Sequence, residues 1–209
     1  MQKSIKYILF FFIIQSCATK KYIDREQLKG PISNITEKTY NVQDEGNVLV
    51  TRKEMRLTKN GRIKYSETFD ANNKKIETTE KKLFFEKKSF PDKEAYYCKT
   101  RWKPGLRERI SCYSQKRYKQ NEIIAHYLKD GRIDFIIDNF TTFYKHSYQY
   151  NKNNKLLKTV TITSNNAKPI EEVIIKCLTK DNYNNCTQIE KNYSKAKTKE
   201  LIERTYNYD

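Results

Sequence analysis

The chain has 209 residues and carries 42 Lys and Arg against 25 Asp and Glu, so its formal net charge is +17 at pH 7. Charge this high is typical of disordered chains, but 16 Tyr and 10 Phe supply apolar surface for a packed core, and the length suits one domain. The 2 His exclude a histidine-rich metal site, and with 5 Gly and no glycine-rich phosphate-binding pattern a nucleotide-binding loop is not expected.

The amino terminus has the pattern of a secretory signal peptide. Lys3 and Lys6 precede the apolar run YILFFFII at residues 7–14. This run is too short to cross a membrane as a helix, which needs about 20 apolar residues. A short positive segment followed by a short apolar segment is typical of a signal peptide instead.

The residues that follow, Ile14-Gln15-Ser16-Cys17, resemble the lipobox of bacterial lipoproteins. The resemblance implies that residues 1–16 are removed and that Cys17 is acylated and becomes the new amino terminus. Its two or three acyl chains would hold the protein firmly on a bilayer. The alternatives are an ordinary signal peptide with a free Cys17, or a buried apolar segment. We expect a lipoprotein of the bacterial cell envelope, on the outer membrane, with residues 17–27 as the acylated cysteine and a polar tether and residues 28–209 as one β-rich domain.

Apart from Cys17, the chain has four cysteines: Cys98, Cys112, Cys177 and Cys186. An even number of cysteines in an exported protein predicts disulfides. A three-residue turn at 104–106 would place Cys98 opposite Cys112, and a two-residue turn at Asp181-Asn182 would place Cys177 opposite Cys186. We therefore predict these two disulfides; the alternative is four reduced, buried cysteines. No two of these cysteines have the C-x₂-C spacing of zinc sites.

Turn signals recur along the chain at intervals near ten residues, at 59–62, 70–73, 129–132, 151–154 and 181–184. Asn-Gly and Asp-Gly pairs close β-hairpins, and the stretches between them are rich in Tyr, Phe, Ile, Val and Thr. This pattern predicts an all-β antiparallel meander. We expect Tyr144, His146, Tyr148 and Tyr150 to share one face of a strand, because strand side chains alternate with period two. No helix of useful length is predicted.

Two segments, residues 69–76 and 150–157, resemble the tyrosine-aspartate (YD) repeat of Rhs-type bacterial surface proteins, and residues 180–186 are a looser copy. Residues 28–37 and 202–208 are similar to segments of uncharacterised lipoproteins of the Bacteroidetes that carry degenerate YD-like hairpins. The resemblance implies a curled β-sheet and contact with carbohydrate. It supplies no catalytic residue.

Aromatic residues are the candidate ligand-binding groups. Trp102 lies near the predicted 104–106 turn between Arg101 and Lys103, where its ring could stack on a sugar. Tyr144 and Tyr148, on the strand face predicted above, are the other candidates. The alternative for all three is structural: a tryptophan packed under its own loop, and tyrosines packed in the core.

No catalytic arrangement is visible in the sequence. His126 and His146 lie in strand patterns without a nucleophile placed beside them, and no metal or cofactor motif occurs. We therefore expect a non-enzymatic interaction or scaffold module whose partners are the bilayer and an envelope protein or glycan. A carbohydrate-binding surface lipoprotein is the alternative, and an enzyme with carboxylates gathered by the fold is a third. Nucleic acid is not an expected partner, because export separates the basic chain from the chromosome.

Overall fold

The computed structural model of the protein describes residues 21–82, 85–103, 107–140, 143–151, 157–164 and 167–209, without the side chain of Lys103. The predicted signal peptide and Cys17 lie outside the described residues. Within the described ranges, no helix has the length and apolar character needed to cross a membrane.

The described residues form one short helix and fourteen strands. The helix is α1 (Tyr22–Glu26). The strands are β1 (Ile32–Gln43), β2 (Gly46–Leu57), β3 (Ile63–Asp70), β4 (Lys75–Lys81), β5 (Glu86–Ser89), β6 (Tyr96–Lys103), β7 (Arg107–Ser114), β8 (Lys119–Tyr127), β9 (Ile133–Asp138), β10 (Lys145–Tyr150), β11 (Lys158–Thr163), β12 (Pro169–Lys180), β13 (Cys186–Tyr193) and β14 (Thr198–Tyr208).

Each strand pairs antiparallel with the strand before it, and β1 also pairs with β14, so the sheet is a closed barrel. The β1–β14 pairing runs from Ile32 opposite Tyr208 to Asn41 opposite Glu200. The prediction of an all-β antiparallel meander is confirmed, and the predicted curled sheet closes on itself. Closure pairs the backbone groups that the first and last strands of an open sheet would leave unpaired.

The largest buried apolar cluster lies where β1 begins and β14 ends. It contains five side chains: Ile32, Ile35, Met55, Leu57 and Tyr206. Helix α1 covers this cluster with Tyr22 and Ile23. We call this end of the barrel, which also carries the β2–β3 turn, the α1 end. The cluster therefore packs the barrel interior at this end.

Gly61 in the β2–β3 turn is needed for α1 to dock. The amide of Ile23 donates a hydrogen bond to the carbonyl oxygen of Gly61 at 3.2 Å. A Cβ at position 61 would lie 2.2 Å from Cδ1 of Ile23, and the backbone φ of +71° also favours glycine. Residues 22–26, which the sequence analysis assigned to the polar tether, are therefore part of the barrel assembly, and only residues 18–21 separate them from Cys17.

The predicted turns are present where the structure describes them, and two of the YD-like segments form the same type of turn. Oδ1 of Asp70 accepts the amides of Asn72 and Lys74, and Asn73 has a φ of 63°. Oδ1 of Asp181 does the same for residues 183 and 185, and Asn184 has a φ of 64°. Asparagine therefore takes the left-handed position that glycine takes elsewhere. Residues 152–156 of the third YD-like segment lie outside the described residues.

Both predicted disulfides, Cys98–Cys112 and Cys177–Cys186, are present. Cys98 lies directly opposite Cys112 in the β6–β7 pairing, as the predicted turn requires, with Cα atoms 4.0 Å apart. The predicted β12–β13 register is wrong. Cys177 lies opposite Ile189 and Cys186 opposite Lys180, because the turn spans 181–185 rather than two residues and the pairing shifts between Cys177 and Lys180. The second disulfide spans this irregular stretch.

We expect the two disulfides to differ in their resistance to reduction. Cys98 and Cys112 are 2% and 5% exposed inside the barrel, whereas Cys177 is half-buried beside a turn. Since thiol exchange needs access to a sulfur, mild reductant should open Cys177–Cys186 first in the folded protein, as measured by alkylation and peptide mass mapping over time. Full denaturation should abolish the difference; a native Cys98–Cys112 bond that opened first would contradict the burial argument.

Loss of either bond should lower the free energy of unfolding by about 2 to 4 kcal/mol.

Candidate functional site

The structure places Trp102 inside the barrel and not at an exposed hairpin tip. Trp102 lies opposite Glu108 in the β6–β7 pairing, and its ring stacks on Tyr127 with centroids 5.9 Å apart. Tyr127 is 5% exposed. The structural alternative for Trp102 is thus closer to what is observed than the sugar-stacking one, although the ring packs on Tyr127 of β8, two strands away, and not under its own loop.

The two tyrosine candidates do not join Trp102 in one site. Tyr148 faces the interior opposite the buried Val160, and burial raises the pKa of its hydroxyl. Tyr144 precedes β10, is 37% exposed, and accepts a hydrogen bond from the amide of Asp138 through its carbonyl oxygen. Tyr148 therefore lies on the inward face of β10, whereas Tyr144 lies outside this strand.

The first polar cluster that sequence reasoning missed holds α1 against β1 and β14. Arg204 of β14 donates from Nε to Glu37 of β1 at 2.7 Å and from Nη1 to Glu26 of α1 at 3.2 Å. The Arg204 side chain is only 11% exposed. Burial alone would raise the pKa of the Glu26 carboxyl, but the positive charges of Arg204 and Lys158 outweigh it and hold that pKa below its ordinary value.

A second ion pair attaches α1 to a different part of the wall. The carboxylate of Glu108 on β7 has no solvent exposure; it accepts a hydrogen bond from the hydroxyl of Tyr127 at 2.7 Å and lies 3.9 Å from Nη1 of Arg25. Burial, followed by the hydrogen bond to Glu108, raises the pKa of Tyr127. The two acidic groups therefore serve to bind α1. In the sequence, Arg25 and Glu26 look like any charged tether residues, because their partners are 83 and 178 positions away.

We expect Glu26→Gln to destabilise the barrel in a pH-dependent way. Breaking a fully buried ion pair costs about 3 to 5 kcal/mol, but Glu26 keeps 32% of its side chain exposed and Arg204 retains Glu37, so about 1 to 2 kcal/mol is expected at pH 7. The folded-state pKa of Glu26 lies below 4.5, so its contribution is complete above the unfolded-state pKa and is lost as pH falls through the folded value.

Urea unfolding of the two proteins should therefore give midpoints that differ at pH 7 and converge once the pH falls below the folded-state pKa of Glu26. Glu45→Gln, which changes an exposed residue in the β1–β2 turn, is the matched control and should leave both midpoints unchanged. A gap between wild type and Glu26→Gln that persists unchanged at low pH would contradict the assignment.

The outer wall carries an open groove of about 870 Å³ beside β5, β6 and β7. We call it the β5–β7 groove. None of the residues that line it is acidic. They are Phe85, Tyr97, Lys99, Arg101, Tyr113, Ser114, Gln115 and Arg117.

Strand alternation explains why these side chains meet on the outside. Cys98 faces inward to its disulfide, so Tyr97, Lys99 and Arg101 face outward along β6. Tyr113 lies directly opposite Tyr97, and Phe85 contacts Tyr97 edge to face with centroids 5.2 Å apart. Two rings of the disulfide-linked β6–β7 hairpin thus lie side by side on the outer surface, and Phe85 adds a third beside Tyr97.

The cations of the groove are exposed and lack acidic partners among the described residues. Lys99, Arg101 and Arg117 make no ion pair with any described residue. Arg109, beside them on β7, instead lies 3.9 Å from Glu122. Arg117 is held at the end of the groove by a turn in which its amide donates to the carbonyl oxygen of Ser114 at 3.0 Å. The groove therefore offers aromatic faces and unneutralised positive charge, which suits an anionic ligand with an apolar face.

The histidines do not form a second site. His126 faces outward and stacks on Phe135 with centroids 4.1 Å apart, whereas His146 faces the interior opposite Ile136. Burial lowers the pKa of both imidazoles. Within the ranges that the structure covers, no group of His, Cys, Asp or Glu is arranged to hold a metal ion.

No protein-family model matches the chain, and no curated protein matches it. Among solved structures, the chain is similar to a putative outer membrane lipoprotein-sorting protein domain from Vibrio parahaemolyticus, with a TM-score of 0.30 and 7% sequence identity over 88% of this chain and 89% of that one. A likeness this low carries no functional argument, so function is inferred from the residues of this chain alone.

Proposed function

We propose that the chain is a membrane-anchored lipoprotein of the bacterial cell envelope and that its barrel works as a non-enzymatic interaction module. The observation that carries this proposal is the position of α1. Helix α1 begins five positions after Cys17 and is held in the barrel by Arg25 and Glu26. Since an extended chain spans about 3.5 Å per residue, acyl chains on Cys17 would hold the α1 end within about 18 Å of the bilayer.

The two disulfides support the exported part of the proposal. Disulfides persist in oxidising compartments and are rare in the reducing cytosol. The outer membrane is our proposed location within the envelope, and the YD-like resemblance stays an interpretation of the short turn segments.

The interaction part of the proposal rests on where the acidic and basic groups lie. Glu26 and Glu108 are engaged in holding α1. Among the described residues that line the β5–β7 groove, none carries a carboxylate or imidazole that could act as a general base. Because the groove lies on the side wall, it would remain accessible in a barrel held by its α1 end. This arrangement favours binding over catalysis.

A carbohydrate-binding surface lipoprotein is the second candidate function. The sequence analysis based it on Trp102, Tyr144 and Tyr148, but Trp102 and Tyr148 face the barrel interior and Tyr144 precedes β10. The aromatic face of Phe85, Tyr97 and Tyr113 supports it instead.

Lipidation is tested by metabolic labelling with a palmitate analogue. The wild-type chain should incorporate the label, and Cys17→Ser should not, because a hydroxyl cannot replace the thiol that receives the lipid. Ser16→Ala is the matched control: it keeps a small residue before the cysteine and should be labelled like wild type. An unlabelled wild-type protein in membranes would refute the proposed anchor.

The proposed orientation is tested with a membrane-impermeant amine reagent on the acylated protein in anionic vesicles. Exposed Lys59 and Lys129 lie in turns at the α1 end, and exposed Lys116 and Lys168 lie in turns at the opposite end. We expect the first pair to be modified more slowly than the second, because the bilayer shields it. In detergent the two pairs should react alike. Equal rates in vesicles would contradict an end-on attachment.

A further inference from the structure

We propose that the β5–β7 groove is a binding site for an acidic glycan, a polysaccharide whose sugar rings carry carboxylates. This site would be the binding surface of the interaction module proposed above. It rests on that proposed function only in one respect, namely that the protein is exported to a compartment where such a polymer occurs. The cavity at the α1 ion pairs is a poorer candidate, because about 70 Å³ is too small for a sugar and is lined by the groups that hold α1.

The aromatic part of the groove fits the apolar faces of sugar rings. Tyr97 and Tyr113 are half-buried, so their rings are fixed by the wall while one side remains open. Phe85 extends this surface beside Tyr97. The hydroxyls of Tyr97 and Tyr113 hydrogen-bond to no other described residue and could each donate and accept with sugar hydroxyls.

The charged part of the groove fits a polymer better than one compact anion. Lys99 and Arg101 are two positions apart on β6, so their Cα atoms are about 7 Å apart at the rise of an extended strand. Arg117 lies in the turn at the other end of the groove. Cations distributed along a groove match charges that recur along a chain, and the guanidinium of Arg101 suits bidentate binding of a carboxylate.

Other anionic partners fit these observations less well. A bilayer is flat, whereas the rings and cations lie in a concavity on the side wall. A nucleic acid also stacks on rings and pairs with cations, but the disulfides favour a compartment outside the cytosol. A neutral glycan would leave the three cations without partners.

The test measures binding of the purified full chain to polygalacturonate, with neutral dextran, inorganic polyphosphate and a single-stranded DNA oligonucleotide as comparison ligands. We expect binding to polygalacturonate, weakening with salt as screening predicts, and none to dextran. The double variant Lys99→Gln/Arg101→Gln should bind polygalacturonate at least about tenfold more weakly. Tyr113→Thr, which keeps a strand-forming residue, should also weaken this binding.

The matched control is Lys64→Gln/Lys168→Gln, which removes the same charge from exposed positions on β3 and in the β11–β12 turn. It should stay within about twofold of wild type. Urea unfolding midpoints of all variants confirm that each is folded. Three results would overturn the proposal. One is no binding to polygalacturonate, and another is an equal loss of binding in both double variants. The third is binding to polyphosphate or DNA that is as strong as binding to polygalacturonate and is unchanged in Tyr113→Thr. Because the assay uses purified protein, its failure is separable from failure of palmitate labelling.

Discussion

The hydrogen bonds between β1 and β14 are the constraint on which the rest of this structure depends. They join the two ends of the chain, with Ile32 opposite Tyr208, and leave no unpaired strand at an edge. They also place Glu37 beside Arg204, whose guanidinium donates both to Glu37 and to Glu26 of α1. Without closure, α1 would lose the contribution of Tyr206 to the apolar cluster beneath it and the pairing of Glu26 with Arg204.

Closure also separates the two surfaces of the wall by function. On the inner surface, Cys98 is bonded to Cys112, Trp102 stacks on Tyr127, and the carboxylate of Glu108 pairs with Arg25 of α1. The outer surface of the same hairpin carries Tyr97, Lys99 and Arg101 without acidic partners among the described residues. One strand therefore contributes both to stability and to the proposed binding groove, because its side chains alternate between the two faces.

Local chemistry made much of the fold predictable. Asn-Gly and Asp-Gly pairs marked hairpins, and the turn predicted at residues 104–106, which lie outside the described ranges, gave the register that places Cys98 opposite Cys112. The β12–β13 register was not predictable in the same way, because the length of the turn after Asp181 depends on side-chain hydrogen bonds to residues 183 and 185. Trp102 was misplaced for a related reason: its distance from a turn is visible in the sequence, but its face relative to the barrel is not.

By itself the sequence determined the class of fold, both disulfide partners and the export pattern at the amino terminus, since each depends on residues close together or on spacing. Tertiary structure alone decided that the sheet closes, that residues 22–26 dock into the barrel, and that Phe85, Tyr113 and Arg117 join β6 in one groove. These outcomes depend on contacts between distant positions, such as Glu26 with Arg204. No local propensity encodes them, because they follow from which strands become neighbours.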